Sequence, residues 1–299
     1  MPLIRHGLSR CPELCGRTIL AAVLRLCPQL WGWSTEDPRW RFTRSAYQDA
    51  FPREDTEAFM TKIVMTRASA FATSMTYLAR TQAGRHSDLI EPLLIGDSVE
   101  APCIVTYLHY AIDPSLQLAL IAANHRRDFR WVVYPPPPHE PLRWQHGPEL
   151  YLAGSIIPDL IFQTLLPVTE PSWIITALRH VKHGGSVLIA LDAPVNSRRA
   201  PVAWLRVGQL AMPISPAIDL LAGVYGARLL FVWPERRANG TWTVRCQQVA
   251  DTAALGATAS RWIDEHRLYW GGWPCLTSRL EATEMRRRPT AAHRAIGDS

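Results

Sequence analysis

One histidine stands where a base would be useful. Cys103-Ile-Val-Thr-Tyr-Leu108 is a β-forming run that ends directly on His109, and Asp113-Pro114 follows four residues later. A histidine at a strand end can face a crevice. Its ordinary pKa, about 6.5, lets it take a proton from a hydroxyl near neutral pH. A neighbouring carboxylate such as Asp113 can fix the imidazole tautomer and stabilise the imidazolium. The same Asp113-Pro114 pair is also a plain helix start, with Asp as N-cap and Pro in the first turn. Local spacing leaves both readings open.

A second group follows another β run. Val187-Leu-Ile-Ala-Leu191 leads into Asp192, with Asn196, Arg198 and Arg199 just beyond. One carboxylate and two arginines after a strand could form a substrate-binding loop for a phosphorylated or carboxylated ligand. An ordinary polar loop has the same composition. Four other histidines carry less: His125 lies among Asn124, Arg126 and Arg127, His180 and His183 flank Lys182 before Gly184-Gly185, and His266 has no partner nearby in sequence. The glycine pair marks a helix end, where basic residues suit the helix dipole.

Several chemistries are not indicated. There is no glycine-rich phosphate loop, no G-x-S-x-G elbow and no H-E-x-x-H. Cys11, Cys15, Cys27, Cys103, Cys246 and Cys275 show no metal-ligand spacing, so no metal and no cofactor is expected. Scattered cysteines in a chain of this size read as a reducing compartment. Hydrophobic residues make up 47% and charged residues 19%, which suits a packed core and not a disordered chain. The formal net charge of +6 calls for an acidic partner: nucleic acid, anionic lipid or an acidic carrier protein. Lys62 and Lys182 are the only lysines among 32 basic residues. That bias fits a GC-rich genome, and it also suits bidentate phosphate contact.

The elements that must position these groups alternate. Runs at 103–108, 129–134, 187–191, 229–233 and 242–246 read as strands. Helical patterns lie at 114–123, 172–182, 215–223 and 257–269, and residues 39–85 read as helical with loops. The expectation is an α/β fold: a central mixed β-sheet flanked by helices, with a helical N-terminal region. In such sheets sites form where strands end. Three parts are expected: an amphipathic membrane-associating segment at 1–38, an α/β domain at 39–280, and a basic, disordered tail at 281–299. In the first part Ile19, Leu20, Val23, Leu24, Cys27 and Trp31 share one helical face, with Arg17 and Arg25 opposite. Trp31 and Trp33 suit the headgroup level of a membrane. The stretch is too short and interrupted to span one. Packing against the core would give the same pattern. No secretory signal peptide is evident at the start.

The order of these segments resembles the lipid A late acyltransferases, of the lysophospholipid-acyltransferase-like superfamily. The likeness runs from about Arg39 to Arg279. It rests on Arg44-Ser-Ala-Tyr-Gln-Asp-Ala-Phe-Pro52 with Glu57, Ile104 to His109, Trp131-Val-Val-Tyr134, Ala177 to Asp192, Phe231-Val-Trp-Pro-Glu-Arg-Arg237, and Trp262 to Trp270. His109 matches the histidine of the family's H-x-x-x-x-D/E signature. The acid falls on Asp113, one residue early, and Tyr134-Pro135-Pro136 stands where the family often has Tyr-Arg-Pro. Asp192 matches the family's aspartate after the glycine-turn strand, and Arg198 or Arg199 its nearby basic residue.

What the resemblance implies is a glycerolipid-acyltransferase-like fold and acyl transfer. The donor would be an acyl-carrier-protein or CoA thioester, and the acceptor a hydroxyl or amine of a lipid or glycolipid. His109 would act as base and Asp113 would orient it. The resemblance also implies a peripheral place on the cytoplasmic face of a bacterial inner membrane. Two other readings stand beside it. One is a catalytically inactive relative that binds lipid or a partner protein. The other is a basic nucleic-acid-binding protein, but the tryptophan- and arginine-rich stretches match no nucleic-acid module, and no nucleic acid is expected as partner.

Overall fold

The structure, a computed structural model, describes residues 40–66, 90–96, 102–109, 129–133, 165–168, 172–192, 201–223, 226–238, 242–273 and 276. The expected membrane segment at 1–38, the helix at 114–123, the prolines 135–138 and the tail at 281–299 lie outside them.

Helix α1 spans Arg41–Ala50, and a further helical segment covers 56–66. Strands β1 (Ile90–Gly96), β2 (Cys103–Tyr107), β3 (Phe129–Val133) and β4 (Leu165–Pro167) follow. Helix α2 (Trp173–Lys182) leads into β5 (Ser186–Ala190). A hairpin of β6 (Trp204–Val207) and β7 (Leu210–Pro213) precedes α3 (Pro216–Ala222). The chain then forms β8 (Arg228–Arg236), β9 (Trp242–Val249) and α4 (Thr252–His266).

Seven strands make one sheet in the order β1-β9-β8-β2-β5-β3-β4. β8 and β9 are antiparallel and every other neighbouring pair is parallel, so the sheet is mixed. The α/β class is therefore as the alternating pattern indicates. The central strands show why. All five residues of β2 and all five of β5 are buried, as unbroken apolar runs are when both faces of a parallel sheet are covered. Polar atoms in that core are paired: Thr106 donates to the carbonyl of Leu230 at 2.7 Å, and Ser186 Oγ accepts from the backbone N–H of Cys103 at 3.3 Å.

Helix ends follow local chemistry. Ser215 caps α3 through the N–H of Ala217, with Pro216 in the first turn. Asp251 accepts from the N–H of Ala254 at 2.7 Å, so α4 begins at Thr252, five residues before the expected 257. Strands β8 and β9 run longer than expected, as they pair along eight residues. Three features went unforeseen: β1, the three-residue β4, and the β6–β7 hairpin.

That hairpin links two parts of the fold. The N–H of Gln209 at its tip donates to the carbonyl of Ala50, closing α1, and Gly208 sits at φ +56° where a Cβ would lie 2.2 Å from that oxygen. Along β6 the N–H of Arg206 donates to Ser260 Oγ of α4 at 2.8 Å. One turn earlier in α4, Gly256 lets the Trp204 carbonyl approach closely.

Candidate functional site

β2 and β5 are adjacent and parallel, with Tyr107 opposite Ala190. The pairing continues one step further, where the N–H of Leu191 donates to the carbonyl of Tyr107 at 2.8 Å. Two residues past each register position stand His109 and Asp192. Both side chains therefore emerge at the carboxyl edge of the sheet, on neighbouring chains about 5 Å apart. The connections from these strands diverge: β2 leads on toward β3 beyond β5, and β5 toward β8 beyond β2. The carboxyl edge at such a place is where α/β sheets form ligand crevices.

His109 Nδ1 lies 2.6 Å from Asp192 Oδ1. The imidazole is 22% exposed, whereas the carboxylate is fully buried. Asp192 also accepts from the backbone N–H of His109, at 3.0 Å to Oδ2, and from Trp270 Nε1–H at 2.9 Å to the same oxygen. An ionised Asp192 is acceptor-only, and the backbone and indole N–H groups aimed at it suit that form. Nδ1 of a neutral His109 is then the protonated nitrogen, which puts the basic lone pair on Nε2.

The surroundings are aromatic. The Tyr107 ring meets His109 edge-on at 6.1 Å, and its hydroxyl accepts from Trp131 Nε1 across the intervening β5. On the other side lies Trp270-Gly271-Gly272-Trp273. The N–H of Gly271 donates to the carbonyl of His109 at 2.7 Å. A Cβ on Gly271 would stand only 3.1 Å from that carbonyl, and one on Gly272 would enter the Trp270 ring. Trp273 packs edge-on against Trp270 at 4.8 Å and against Tyr47, Phe51 and Phe59. The site is thereby joined to the N-terminal helices.

At the far end of that cluster Glu54 binds two partners, the hydroxyl of Tyr47 and Arg267 Nη1 at 2.7 Å. The hydrogen bond from Tyr47, then that from Arg267, hold the Glu54 carboxyl below the usual range. Burial, and then the neighbouring Glu54 carboxylate, push the Tyr47 hydroxyl well above its ordinary value.

His109 and Asp192 are brought together. Asp192, expected as a ligand-binding residue, has its carboxylate turned inward onto the histidine. Asp113, Arg198 and Arg199 lie outside the described residues. His180 sits at the end of α2 with Gly185 packed on its ring, at the opposite edge of the sheet from His109. Trp270 and Gly271 were missed as site residues. Their signal was present in two adjacent glycines between tryptophans, a composition that marks close backbone approach. Among the described residues no cluster of three His, Cys, Asp or Glu could hold a metal, and no helix is long and apolar enough to cross a membrane. No family model matches the chain, and no curated protein matches it either.

Proposed function

We propose that the protein is an acyltransferase, of glycerolipid-acyltransferase-like fold, in which His109 is the general base and Asp192 holds it. The observation that carries this reading is the 2.6 Å contact between a part-exposed imidazole and a buried carboxylate at the carboxyl edge of a mixed α/β sheet. The resemblance to lipid A late acyltransferases supplies the reaction class. His109 Nε2 takes the proton of an acceptor hydroxyl or amine as its oxygen or nitrogen attacks a thioester carbonyl. The tetrahedral adduct then collapses, the C–S bond breaks, and the thiolate recovers the proton from the imidazolium. Neither a covalent acyl-enzyme nor a metal takes part.

The donor is an acyl-carrier-protein or CoA thioester, whose acidic groups suit a chain of net charge +6. The acceptor is a lipid or glycolipid, and Arg198 and Arg199, a few residues beyond Asp192, are the groups proposed to meet its anionic parts. Attachment is peripheral, through residues 1–38, at the cytoplasmic face of the inner membrane. The paired His109 favours catalysis over a binding-only relative. The reading is tested by incubating purified protein with labelled acyl-carrier-protein thioesters and membranes from a strain lacking the gene. Label should enter a lipid with wild-type protein and not with His109→Ala; transfer that survives His109→Ala would overturn it.

A further inference from the structure

A buried indole N–H needs an acceptor, and a backbone carbonyl is the ordinary solution. Trp273 takes that solution, donating to the carbonyl of Arg267 at 3.0 Å. Trp270, three residues before it and fully buried, donates instead to the carboxylate that holds His109. The next residue, Gly271, grips the backbone of His109 itself through a 2.7 Å hydrogen bond and a close approach that a Cβ would tighten to 3.1 Å. One dipeptide therefore holds both members of the pair, one by its side chain and the other by its main chain. Core filling alone accounts for neither contact.

We propose that Trp270 is a positioning residue for the His109–Asp192 pair. Its N–H fixes the plane of the carboxylate and draws off part of its negative charge, so it sets both the direction of the imidazole and how tightly the imidazolium is held. Gly271 completes the clamp by fixing the end of β2. The proposal rests on the reading of His109 as the base, but its physical content is a property of the pair and can be measured without any acyl substrate. The titratable groups facing His109 include Asp192, in contact, and Tyr107, edge-on at 6.1 Å.

Removing the indole donor leaves more charge on Asp192 for the imidazolium. The titration midpoint of His109 should therefore rise in Trp270→Phe, by about half a unit or more. Its proton signal is read by NMR on the full chain, identified by its loss in His109→Gln. Trp273→Phe removes an indole N–H from the same aromatic cluster and should lower thermal stability while leaving the midpoint in place. Benzothienylalanine installed at position 270 keeps the ring shape and replaces N–H by sulfur, so it gives the same reading if Trp270→Phe does not fold. A midpoint unchanged by loss of the N–H, or moved equally by Trp273→Phe, would overturn the proposal. A shifted midpoint in a protein that transfers no acyl group would uphold it and refute the reaction class instead.

Discussion

In the proposed mechanism Asp192 is the residue that holds the base. It is fully buried and accepts from two N–H groups of His109 and one of Trp270. Asp192→Asn places an amide where only acceptors fit. Activity should fall roughly 10²–10⁴-fold, the contribution of a positioned general base, and stability by about 1–3 kcal/mol for the mispaired polar group. Kinetics and urea denaturation on the same preparation separate the two effects. A different pair governs stability against pH. Glu54 has a depressed folded pKa, so its contribution is present above the ordinary glutamate value of about 4.3 and is lost as pH falls through the folded value. Glu54 is largely solvated and the contribution is small, under about 1 kcal/mol. Tyr47 has a raised folded pKa, so the unfolded chain ionises first and stability should fall as pH rises past about 10. Urea midpoints across pH should show a shallower acid limb in Glu54→Gln and a shallower alkaline limb in Tyr47→Phe.

At the scale of elements, two glycines carry opposite lessons. Gly256→Ala should gain about 1 kcal/mol in helix propensity. Its Cβ, however, would lie 2.7 Å from the Trp204 carbonyl, a backbone atom that cannot swing aside. Net destabilisation of about 1 kcal/mol or more is expected in thermal unfolding. Gly271→Ala presses on His109 more gently, at 3.1 Å. If His109 is the base, as proposed, a shift of a few tenths of an ångström there should cost about ten-fold in rate with little loss of stability. The elements divide in the same way by how far their cause extends along the chain. β2, β5 and α2 were legible because their cause is local: unbroken apolar runs and a Gly-Gly stop. The start of α4 was missed, and it is fixed by the Asp251 cap on the N–H of Ala254. β1 was hidden by Glu91-Pro92, and β4 by its length of three residues. In the β6–β7 hairpin only β6 alternates exposed and buried, over four residues, too short to stand out beside Pro201 and Pro213.

For the whole molecule, the site depends on strand order, which no local pattern contains. His109 and Asp192 were each visible as strand-end residues, but they are 83 positions apart. Only the adjacency and register of β2 and β5 make them a pair. Asp113, near His109 in sequence, lies outside the described residues, whereas the parallel sheet brings Asp192 in from far along the chain. The Trp270 contact is of the same kind, 78 positions from Asp192. Charge is the other whole-molecule property. With net charge +6, the chain should bind vesicles containing anionic lipid and release them as salt rises. Replacing Arg17 and Arg25 by Glu should weaken that binding in a flotation assay without changing the fold of the α/β domain.

The most direct measurement is lipid mass spectrometry of the native host, comparing a deletion strain complemented with wild type, with His109→Ala and with Asp192→Asn. An acylated lipid restored by wild type and missing from both variants, each expressed at wild-type level, is the expected result and would name the acceptor. Restoration of that lipid by Asp192→Asn to the wild-type amount, or identical lipids in all three strains, would contradict a His109–Asp192 acyltransferase.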